Sequence, residues 1–293
     1  MPFYLLDICQ VNDIIIDKEE LLMDKVIKDI QDLRFLNWDN NRNSSGTAGS
    51  FLKSYSLING VKNYYKLSNF DIINGITGHE CVNEIIIDRL LCVLGIPHLS
   101  YKLIHALISI QGENYETYLC SSLDFKKKGE QKKSLDTFYA LNKLNKETPF
   151  EFCVRYGFEK YIYEMLVVDF LILNRDRHGA NIEVLINLKE NSIRLAPLFD
   201  HGISLLSRCI NEDQIMKYDV MEDKRIQCFI GSSSSKENLN LIPKNKLPKL
   251  NKLKEEDKEY LFKDLDNILS EELKNKIWEM IYKRWCYYED FCN

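Results

Sequence analysis

Three polar residues in the second half of the chain are of types that can carry out phosphoryl transfer. Asp176 and Asn181 lie five residues apart in a polar segment after a strongly apolar stretch, and Asp200 follows two short strand-like segments later. One carboxylate can accept the proton of an attacking hydroxyl, while a second carboxylate and an amide oxygen can hold Mg²⁺. The competing interpretation is that all three are turn residues that make local hydrogen bonds.

A loop of small and hydroxylated residues lies far ahead of these groups, at residues 44–50, with the sequence SSGTAGS. Backbone N–H groups in a glycine-containing turn can cradle phosphates. The segment is neither a Walker A motif nor a GxGxxG motif, so a flexible turn that serves only solubility is the alternative. The residues predicted to contact phosphates are Ser45, Gly46, Thr47 and Gly49.

A lysine and a glutamate between the loop and the later carboxylates could complete a nucleotide site. Lys66 lies in an apolar strand and could pair with phosphates, although Lys62 in the same strand is an alternative. Glu84 in the following helix could hold the lysine in place, but Glu80 lies one turn earlier on the same face. A solvated surface position is the competing interpretation for each of them. The order of loop, lysine, glutamate, Asp…Asn and Asp is that of a two-lobed kinase.

The first half of the chain has the hydrophobic pattern of a β-sheet accompanied by two helices. Asn59-Gly60 suits a type I′ hairpin turn, which needs two residues that tolerate positive φ. Gly95 directly follows a helical pattern, as a C-terminal cap should. The predicted elements are helices over residues 17–33 and 77–94 and strands over residues 51–57, 61–67, 99–110 and 115–123.

The second half is predicted to be mainly helical. A polar and basic segment follows residue 123, and this change marks the expected boundary between a unit of residues 1–123 and a unit of residues 124–293. The predicted elements are helices over residues 150–173, 255–268 and 271–288, with short strands over residues 182–188 and 193–196.

The composition is that of an ordinary, slightly acidic globular protein. The 39 Lys and Arg against 44 Asp and Glu give a net charge of -5, which disfavours direct nucleic-acid binding, since that needs clustered positive charge. No apolar run approaches the roughly 18 residues of a membrane span, and the N-terminus has no signal-peptide pattern. The nine cysteines are scattered without CxxC spacing, so we expect reduced thiols and a cytoplasmic protein.

Five segments of the chain resemble the HipA-like serine/threonine kinases, in particular compact members that lack the extra N-terminal subdomain. The resemblance spans about residues 44–206. Phosphatidylinositol kinases have a similar Asp-Arg-His-x-x-Asn loop, so this loop marks a kinase superfamily more than a substrate. The matching segments are YYKL at 64–67, VNE at 82–84 with LG at 94–95, LDF at 123–125, NRDRHGAN at 174–181 and APLFD at 196–200.

The resemblance implies an α+β, two-lobed protein-kinase-like fold, with a mainly β N-lobe, a helical C-lobe and ATP with Mg²⁺ in the cleft. Lys66 would bind the phosphates and pair with Glu84, and Asp176 would be the catalytic base. Asn181 and Asp200 would hold Mg²⁺. The hinge residues implied to offer groups to adenine are Cys120, Ser122 and Leu123, and His178 is implied to brace the catalytic loop.

The implied activity is transfer of the γ-phosphoryl group of ATP to a Ser or Thr hydroxyl of an unidentified protein. The resemblance also leaves open autophosphorylation of the 44–50 loop and an antitoxin-like partner. One alternative is a phosphoinositide-type lipid kinase, for which five lysines at residues 244–254 could form a membrane-facing patch. Another is a catalytically silent pseudokinase that acts as a binding module in a toxin–antitoxin pair. The presence of all four key side chains argues against it: Lys66, Asp176, Asn181 and Asp200.

Overall fold

The computed structural model describes residues 24–38, 51–71, 73–209 and 211–293. A five-stranded sheet forms the N-terminal lobe, in the spatial order β1-β6-β7-β3-β2, so that β7 lies at its centre. Strands β4 and β5 form a separate small hairpin. The strands of this half are β1 (Val26–Asp32), β2 (Lys53–Ile58), β3 (Val61–Leu67), β4 (Phe70–Asp71), β5 (Gly75–Ile76), β6 (Lys102–Ile110) and β7 (Glu113–Leu123).

The hairpin of β2 and β3 has the turn that its sequence predicts. Asn59 and Gly60 have φ angles of 51° and 79°, the two positive values that a type I′ turn requires. The strands pair in the register that places Lys53 opposite Lys66. Because side chains alternate along a strand, Lys66 shares its face of the sheet with Tyr64. The turn thereby fixes which side chains of β3 face the cleft.

Helix α1 (Glu80–Leu94) crosses behind the sheet and is buried on almost all of its surface. It ends as predicted at Gly95, whose φ is 73° and whose N–H donates to the carbonyl of Cys92 at 3.2 Å. A left-handed residue after the last turn satisfies helix carbonyls that otherwise lack donors. The helix packs on β7 and β6 and on the C-terminal helix Asp257–Phe262.

The prediction of a helix over residues 17–33 is wrong for residues 24–33, the part that the structure describes. Val26–Asp32 forms β1, which runs parallel to β6 at one edge of the sheet. Val26 is buried but Ile30 is half exposed, so the apolar residues at helical spacing do not share a buried face. Backbone pairing with β6 outweighs the periodicity, as is common for segments with β-branched residues.

The C-terminal lobe is mainly helical, and its two longest helices, α4 and α8, pack against each other. The stretch predicted as one helix over residues 150–173 is divided in two, because Gly157 adopts a φ of 72° that an α-helix does not continue through. The helix predicted over residues 255–268 is shorter than expected. The helices are α2 (Leu135–Asn142), α3 (Pro149–Arg155), α4 (Glu159–Ile172), α5 (Glu212–Met216), α6 (Ser235–Leu239), α7 (Asp257–Phe262) and α8 (Glu271–Cys292).

Short strands in the C-terminal lobe hold the segment that carries the predicted catalytic residues. They are β8 (Gln131–Ser134), β9 (Asp176–Arg177), β10 (Glu183–Asn187), β11 (Ser192–Leu195) and β12 (Gln227–Cys228). Strands β11, β10 and β8 form one antiparallel sheet, and β9 pairs in parallel with β12. The two strands predicted over residues 182–188 and 193–196 are therefore confirmed.

The principal apolar core lies between α1, α4 and α8 and continues into the sheet. Helix α4 is buried along most of its length, including one charged residue, Asp169. The cysteines within the described ranges are all free. No helix of those ranges has the length and apolarity needed to cross a membrane.

Candidate active site

A buried lysine links the two lobes at the centre of the site. Lys66 Nζ on β3 donates to Glu84 Oε1 on α1 at 3.1 Å, and it also donates to Asp200 Oδ1. Burial lowers the pKa of the Lys66 ammonium, but the Asp200 and Glu84 carboxylates together raise it well above its ordinary value. One permanently charged ammonium is thus shared by two carboxylates from different parts of the chain.

The sequence left two choices open, between Lys62 and Lys66 and between Glu80 and Glu84. The structure decides both. Lys62 lies 4.5 Å from the centre of the Tyr55 ring, on the same face of β3 as Lys66 but nearer the turn between β2 and β3. Glu80 accepts a hydrogen bond from the backbone N–H of Asn69 at 3.2 Å. Lys66 and Glu84 are the pair that the fold brings together, as the resemblance implies.

Glu84 also fixes the segment that follows Asp200. Its two oxygens accept the backbone N–H groups of His201 and Gly202, each at 3.0 Å. A Cβ atom at Gly202 would lie 3.1 Å from Glu80 Cβ and 3.3 Å from Lys66 Nζ. A side chain at this position would therefore require its neighbours to move by a few tenths of an ångström. The close approach ties the Asp200 segment to the N-terminal lobe.

Asp200 has a left-handed backbone conformation, with a φ of 59°, that is uncommon for a residue other than glycine. Its N–H donates to the hydroxyl oxygen of Tyr101 at 3.3 Å. Burial raises the pKa of the Asp200 carboxyl, but Lys66 and then Lys53 lower it to well below its usual range. The carboxylate is consequently ionised at any physiological pH.

The loop that carries Asp176 is built around a second buried ion pair. The Arg177 guanidinium, 1% exposed, donates to the Asp169 carboxylate of α4 at 2.9 Å and 3.0 Å. It also donates to the carbonyls of Asn181 at 3.2 Å and of Phe199 at 2.9 Å. Arg177 thus holds the Asp176–Asn181 loop and the Asp200 segment at a fixed separation.

Asp176 itself is half buried between charged neighbours. Burial raises the pKa of its carboxyl, and the Asp200 carboxylate adds to the rise, whereas His178 and Lys66 oppose it. His178 Nε2 lies 3.8 Å from Asp176 Oδ1, and its Nδ1 accepts the N–H of Ala180 at 3.2 Å. His178 therefore stabilises the turn after Asp176.

Asn181 and Asp200 each present an oxygen of the type that Mg²⁺ binds and that accepts no hydrogen bond from the described residues. Asn181 donates its amide Nδ2–H to the Asp176 carbonyl at 2.8 Å, which turns its Oδ1 away from this bond. Asp200 uses Oδ1 for Lys66, and its Oδ2 accepts no hydrogen bond from any described residue. One amide and one carboxylate oxygen are hard ligands, so the donor set fits Mg²⁺.

The predicted hinge residues lie at the end of β7, where their backbone groups alternate in direction. The N–H of Asp124 donates to the carbonyl of Lys62, in β3, at 3.0 Å. In an antiparallel ladder every second residue points to the same neighbour, so the backbone groups of Ser122 and Cys120 are also directed at β3. The Cys120 thiol is buried, 3.9 Å from the Lys66 carbonyl.

The backbone N–H and carbonyl of Leu123 are directed away from β3. Its alternate neighbour, Ser121, pairs with Lys102, the first residue of β6, so no strand lies beyond that point to pair with Leu123. Its side chain is 59% exposed. Of the three predicted hinge residues, Leu123 is the one whose backbone N–H and carbonyl face an open side.

Aromatic rings flank the cleft near this hinge. The rings of Phe125 and Phe199 have their centres 5.6 Å apart. Lys132 of β8 lies 4.3 Å from the Phe125 ring centre and 5.5 Å from that of Tyr64. Flat rings from both lobes form a surface on which a nucleotide base can stack. The predicted phosphate loop, with Ser45, Gly46, Thr47 and Gly49, lies outside the described residues.

A second buried polar cluster lies behind the site and could be mistaken for a metal centre. Asp88, Cys92 and His98 place one ligand atom each within 4.8 Å of one another. The Lys25 ammonium already bonds to Asp88 and lies 3.3 Å from Ser100 Oγ. The Lys25 ammonium therefore supplies the positive charge that a metal ion would otherwise bring. Its bond to Asp88 joins the start of β1 to α1.

Similar folds occur among solved kinase structures. The proinflammatory kinase CtkA of Helicobacter pylori matches over 88% of this chain and 94% of its own, with a TM-score of 0.54 and 15% sequence identity. The chain has a kinase-like fold. The two-lobed α+β architecture predicted from the sequence is thereby confirmed, and at this identity the likeness concerns the fold.

HipA, whose family the sequence motifs resemble, is also among the matched structures. HipA of Shewanella oneidensis MR-1, solved with HipB and its operator DNA, matches over 84% of this chain and 67% of its own, with a TM-score of 0.42 and 12% identity. No protein-family model matches the chain, and neither does any curated protein sequence.

Several residues that shape the site were not predicted from the sequence. Tyr101 and Lys53 act on Asp200, but nothing in their local sequence distinguishes them. Asp169 did leave a signal, because a charged residue in an otherwise apolar helix needs a buried partner. Arg177, its partner, lies within the motif that the resemblance identified.

Proposed function

We propose that the protein is an ATP- and Mg²⁺-dependent protein serine/threonine kinase. The observation that carries the proposal is the ammonium of Lys66 shared between Glu84 and Asp200, with Asp176 half buried nearby. Phosphoryl transfer needs little covalent chemistry from a protein and depends on positioned charges. The fold supplies these charges from both sides of one cleft.

Each side chain has one role in the proposed reaction. The acceptor hydroxyl oxygen bonds to the γ-phosphorus, the bond to the β,γ-bridging oxygen breaks, and ADP leaves. Asp176 accepts the hydroxyl proton, for which its raised pKa is favourable. Lys66 contacts the phosphates, and Glu84 keeps the ammonium in place. Asn181 and Asp200 would hold Mg²⁺, which neutralises phosphate charge when bound.

The adenine would lie beside the end of β7. Leu123 has its backbone N–H and carbonyl directed to the open side of the strand, so it is the residue that we assign to pairing with the base. Cys120 and Ser122 would contribute through the shape of the strand, since their own backbone groups are directed at β3. The rings of Phe125 and Tyr64 would flank the base.

The lysines of residues 244–254 give the lipid-kinase alternative little support. Lys244 lies 3.8 Å from the Phe291 ring centre, Lys246 pairs with Glu159 at 3.4 Å, and Lys254 pairs with Glu256 at 3.0 Å. Three of the five lysines are therefore engaged in local contacts, and two of these are paired with carboxylates, which reduces the charge available to attract an anionic membrane. An antitoxin-like partner and a cytoplasmic location stay predictions from the sequence.

The decisive experiment is incubation of the purified chain with γ-labelled ATP and Mg²⁺, with a generic protein, with phosphoinositide vesicles, or alone. We expect label on protein Ser or Thr, and none in the lipid arm. Label in the lipid alone would replace the proposal with the lipid-kinase alternative. Nucleotide binding without any transfer would leave a pseudokinase.

A further inference from the structure

A loop rich in positive charge follows the proposed hinge. The basic loop, residues 126–133 with the sequence KKKGEQKK, holds five lysines and one glutamate in a chain whose net charge is -5. Lys132 lies 3.4 Å from the Glu183 carboxylate. The other four lysines form no ion pair with any residue in the described ranges: Lys126, Lys127, Lys128 and Lys133. The first three of these are exposed, so the loop presents ammonium groups to solvent that no described carboxylate contacts.

The carboxylates closest to the loop in sequence bond to other groups. Asp124 accepts the backbone N–H of Lys126 at 3.0 Å, and Glu130 accepts that of Lys127 at 2.6 Å. The Arg194 guanidinium donates to both oxygens of Glu130, at 2.7 Å and 2.8 Å. Burial raises the pKa of Glu130, but Arg194 and, less strongly, Lys127 lower it below its ordinary value. These carboxylates therefore fix the backbone of the loop and leave its lysine side chains unpaired.

A tight turn directs the three consecutive lysines outward. The N–H of Glu130 donates to the carbonyl of Lys127 at 3.1 Å, which closes a four-residue turn. Gly129, at the third position, has a φ of 88°, the positive value that a type II turn requires. Arg194 also donates to the carbonyl of Phe125 at 3.0 Å, so the start of the loop is held as well. The lysines thus extend from a backbone of defined conformation.

Both ends of the basic loop lie beside the proposed active site. At its start, the ring centre of Phe125 lies 5.6 Å from that of Phe199, the residue before the proposed metal ligand. At its end, Lys133 in β8 pairs with Val184 in β10. Val184 is three residues after Asn181, a stretch of chain that spans at most about 11 Å. The loop therefore connects the hinge to the proposed catalytic loop along the edge of the cleft.

We propose that the basic loop binds an acidic segment of the acceptor protein and so brings its hydroxyl to the cleft. This inference rests on the proposed protein kinase function, whose acceptor it narrows to a chemical class. A cluster of charges of one sign speeds the association of an oppositely charged partner and orients it. An acidic protein segment fits better than a nucleic acid, because the chain as a whole is negative and nucleic-acid affinity depends on many phosphate contacts.

The first test measures binding and requires no kinase activity. The probes are a labelled oligoglutamate peptide, its glutamine counterpart and a single-stranded oligonucleotide of equal charge, each titrated with the full chain by fluorescence anisotropy at two salt concentrations. A loop variant replaces three exposed lysines, and a control variant of equal charge replaces three exposed lysines elsewhere in the C-terminal lobe. The loop variant is Lys126→Gln, Lys127→Gln and Lys128→Gln together, and the control is Lys146→Gln, Lys249→Gln and Lys252→Gln together.

We expect the loop variant to bind oligoglutamate about tenfold more weakly than the parent, because each exposed ion pair contributes about two- to threefold. The control variant should bind like the parent, the glutamine peptide should not bind, and added salt should weaken the binding of oligoglutamate. Equal affinity of the loop and control variants for oligoglutamate would overturn the proposal. Tighter, loop-dependent binding of the oligonucleotide would also overturn it, in favour of a nucleic-acid partner.

The second test measures transfer to serine peptides that carry glutamates or glutamines on either side of the acceptor. We expect a KM about tenfold lower for the glutamate peptides in the parent and in the control variant, at unchanged kcat, since the lysines do not touch the reacting atoms. The difference should be lost in the loop variant. Equal KM values for the two kinds of peptide in the parent would overturn the proposal. Loop-dependent binding of oligoglutamate without transfer to any peptide would instead contradict the proposed function, and with it the assignment of the acidic ligand as an acceptor.

Discussion

The role proposed for Asp176 requires a carboxylate that an acceptor hydroxyl can reach and that is ionised, so that it can accept the hydroxyl proton. We expect Asp176→Asn to abolish transfer while nucleotide binding is retained, because the carboxylate acts on the acceptor and not on the nucleotide. Single-turnover transfer and an equilibrium nucleotide titration measure the two effects separately. Turnover close to that of the parent would exclude Asp176 as the base.

The pH dependence of transfer provides an independent check on the same residue. Only the ionised carboxylate can accept a proton, so transfer should fall as the pH drops through the pKa of Asp176. Since burial and Asp200 raise that pKa, the loss should begin at a higher pH than for an ordinary aspartate. A profile of kcat/KM that stays flat down to the ordinary aspartate range would contradict the raised pKa.

Tyr101 is a positioning residue for Asp200, because its hydroxyl accepts the N–H of that residue at 3.3 Å. Loss of one such hydrogen bond costs about 0.5–1.5 kcal/mol. We therefore expect Tyr101→Phe to raise the Mg²⁺ concentration needed for half-maximal transfer about two- to tenfold, with a fall in unfolding temperature of only about 2–4 °C. The matched control is Tyr282→Phe, because Tyr282 packs against Trp278 in α8. An unchanged Mg²⁺ requirement in Tyr101→Phe would remove it from this role.

At the scale of elements, the proposed catalytic loop is joined to helix α4 through the pair of Asp169 and Arg177. Removing one partner of a buried ion pair leaves an uncompensated charge, which typically costs about 3–5 kcal/mol. We expect Asp169→Asn to lower the free energy of unfolding by this order and to reduce transfer, as urea denaturation and a kinase assay would show. Arg34→Gln should change neither, because exposed ion pairs contribute little. A stable and inactive Asp169→Asn would mean that the pair orders the loop without stabilising the fold.

The elements also show which parts of the site the sequence could predict. Asn59-Gly60 and Gly95 carry their own conformational signals, so the hairpin and the end of α1 were predictable. Strand β1 was not, because its conformation depends on pairing with β6, far away in the chain. The choice of Lys66 over Lys62 was open for a related reason: residues four apart on a strand share a face, so only the position of α1 decides which of them meets Glu84.

At the scale of the whole molecule, hydrogen bonds attach α1 to the C-terminal lobe. Asn83 of α1 donates to the carbonyls of Gly202 at 2.9 Å and Ser204 at 3.1 Å. One turn and a half later, Arg89 donates to the carbonyls of Leu261 at 3.0 Å and Lys263 at 2.7 Å. Helix α1, which carries Glu84, is therefore attached to the C-terminal lobe at two points. It also contacts the sheet of the N-terminal lobe.

A helix held in this way is already in place before nucleotide binds. We expect amide hydrogen exchange in α1 to be slow in the free protein and almost unchanged by Mg-ATP, because exchange reports local opening and these contacts oppose it. Arg89→Met should accelerate exchange in α1 and make it sensitive to Mg-ATP, since the nucleotide would then have to order the helix. Lys28→Met, which removes an exposed lysine paired with Asp264 beside the same C-terminal segment, is the control and should behave like the parent. Strong nucleotide-dependent protection of α1 in the parent would show instead that the helix moves, and that its two attachments open and close with binding.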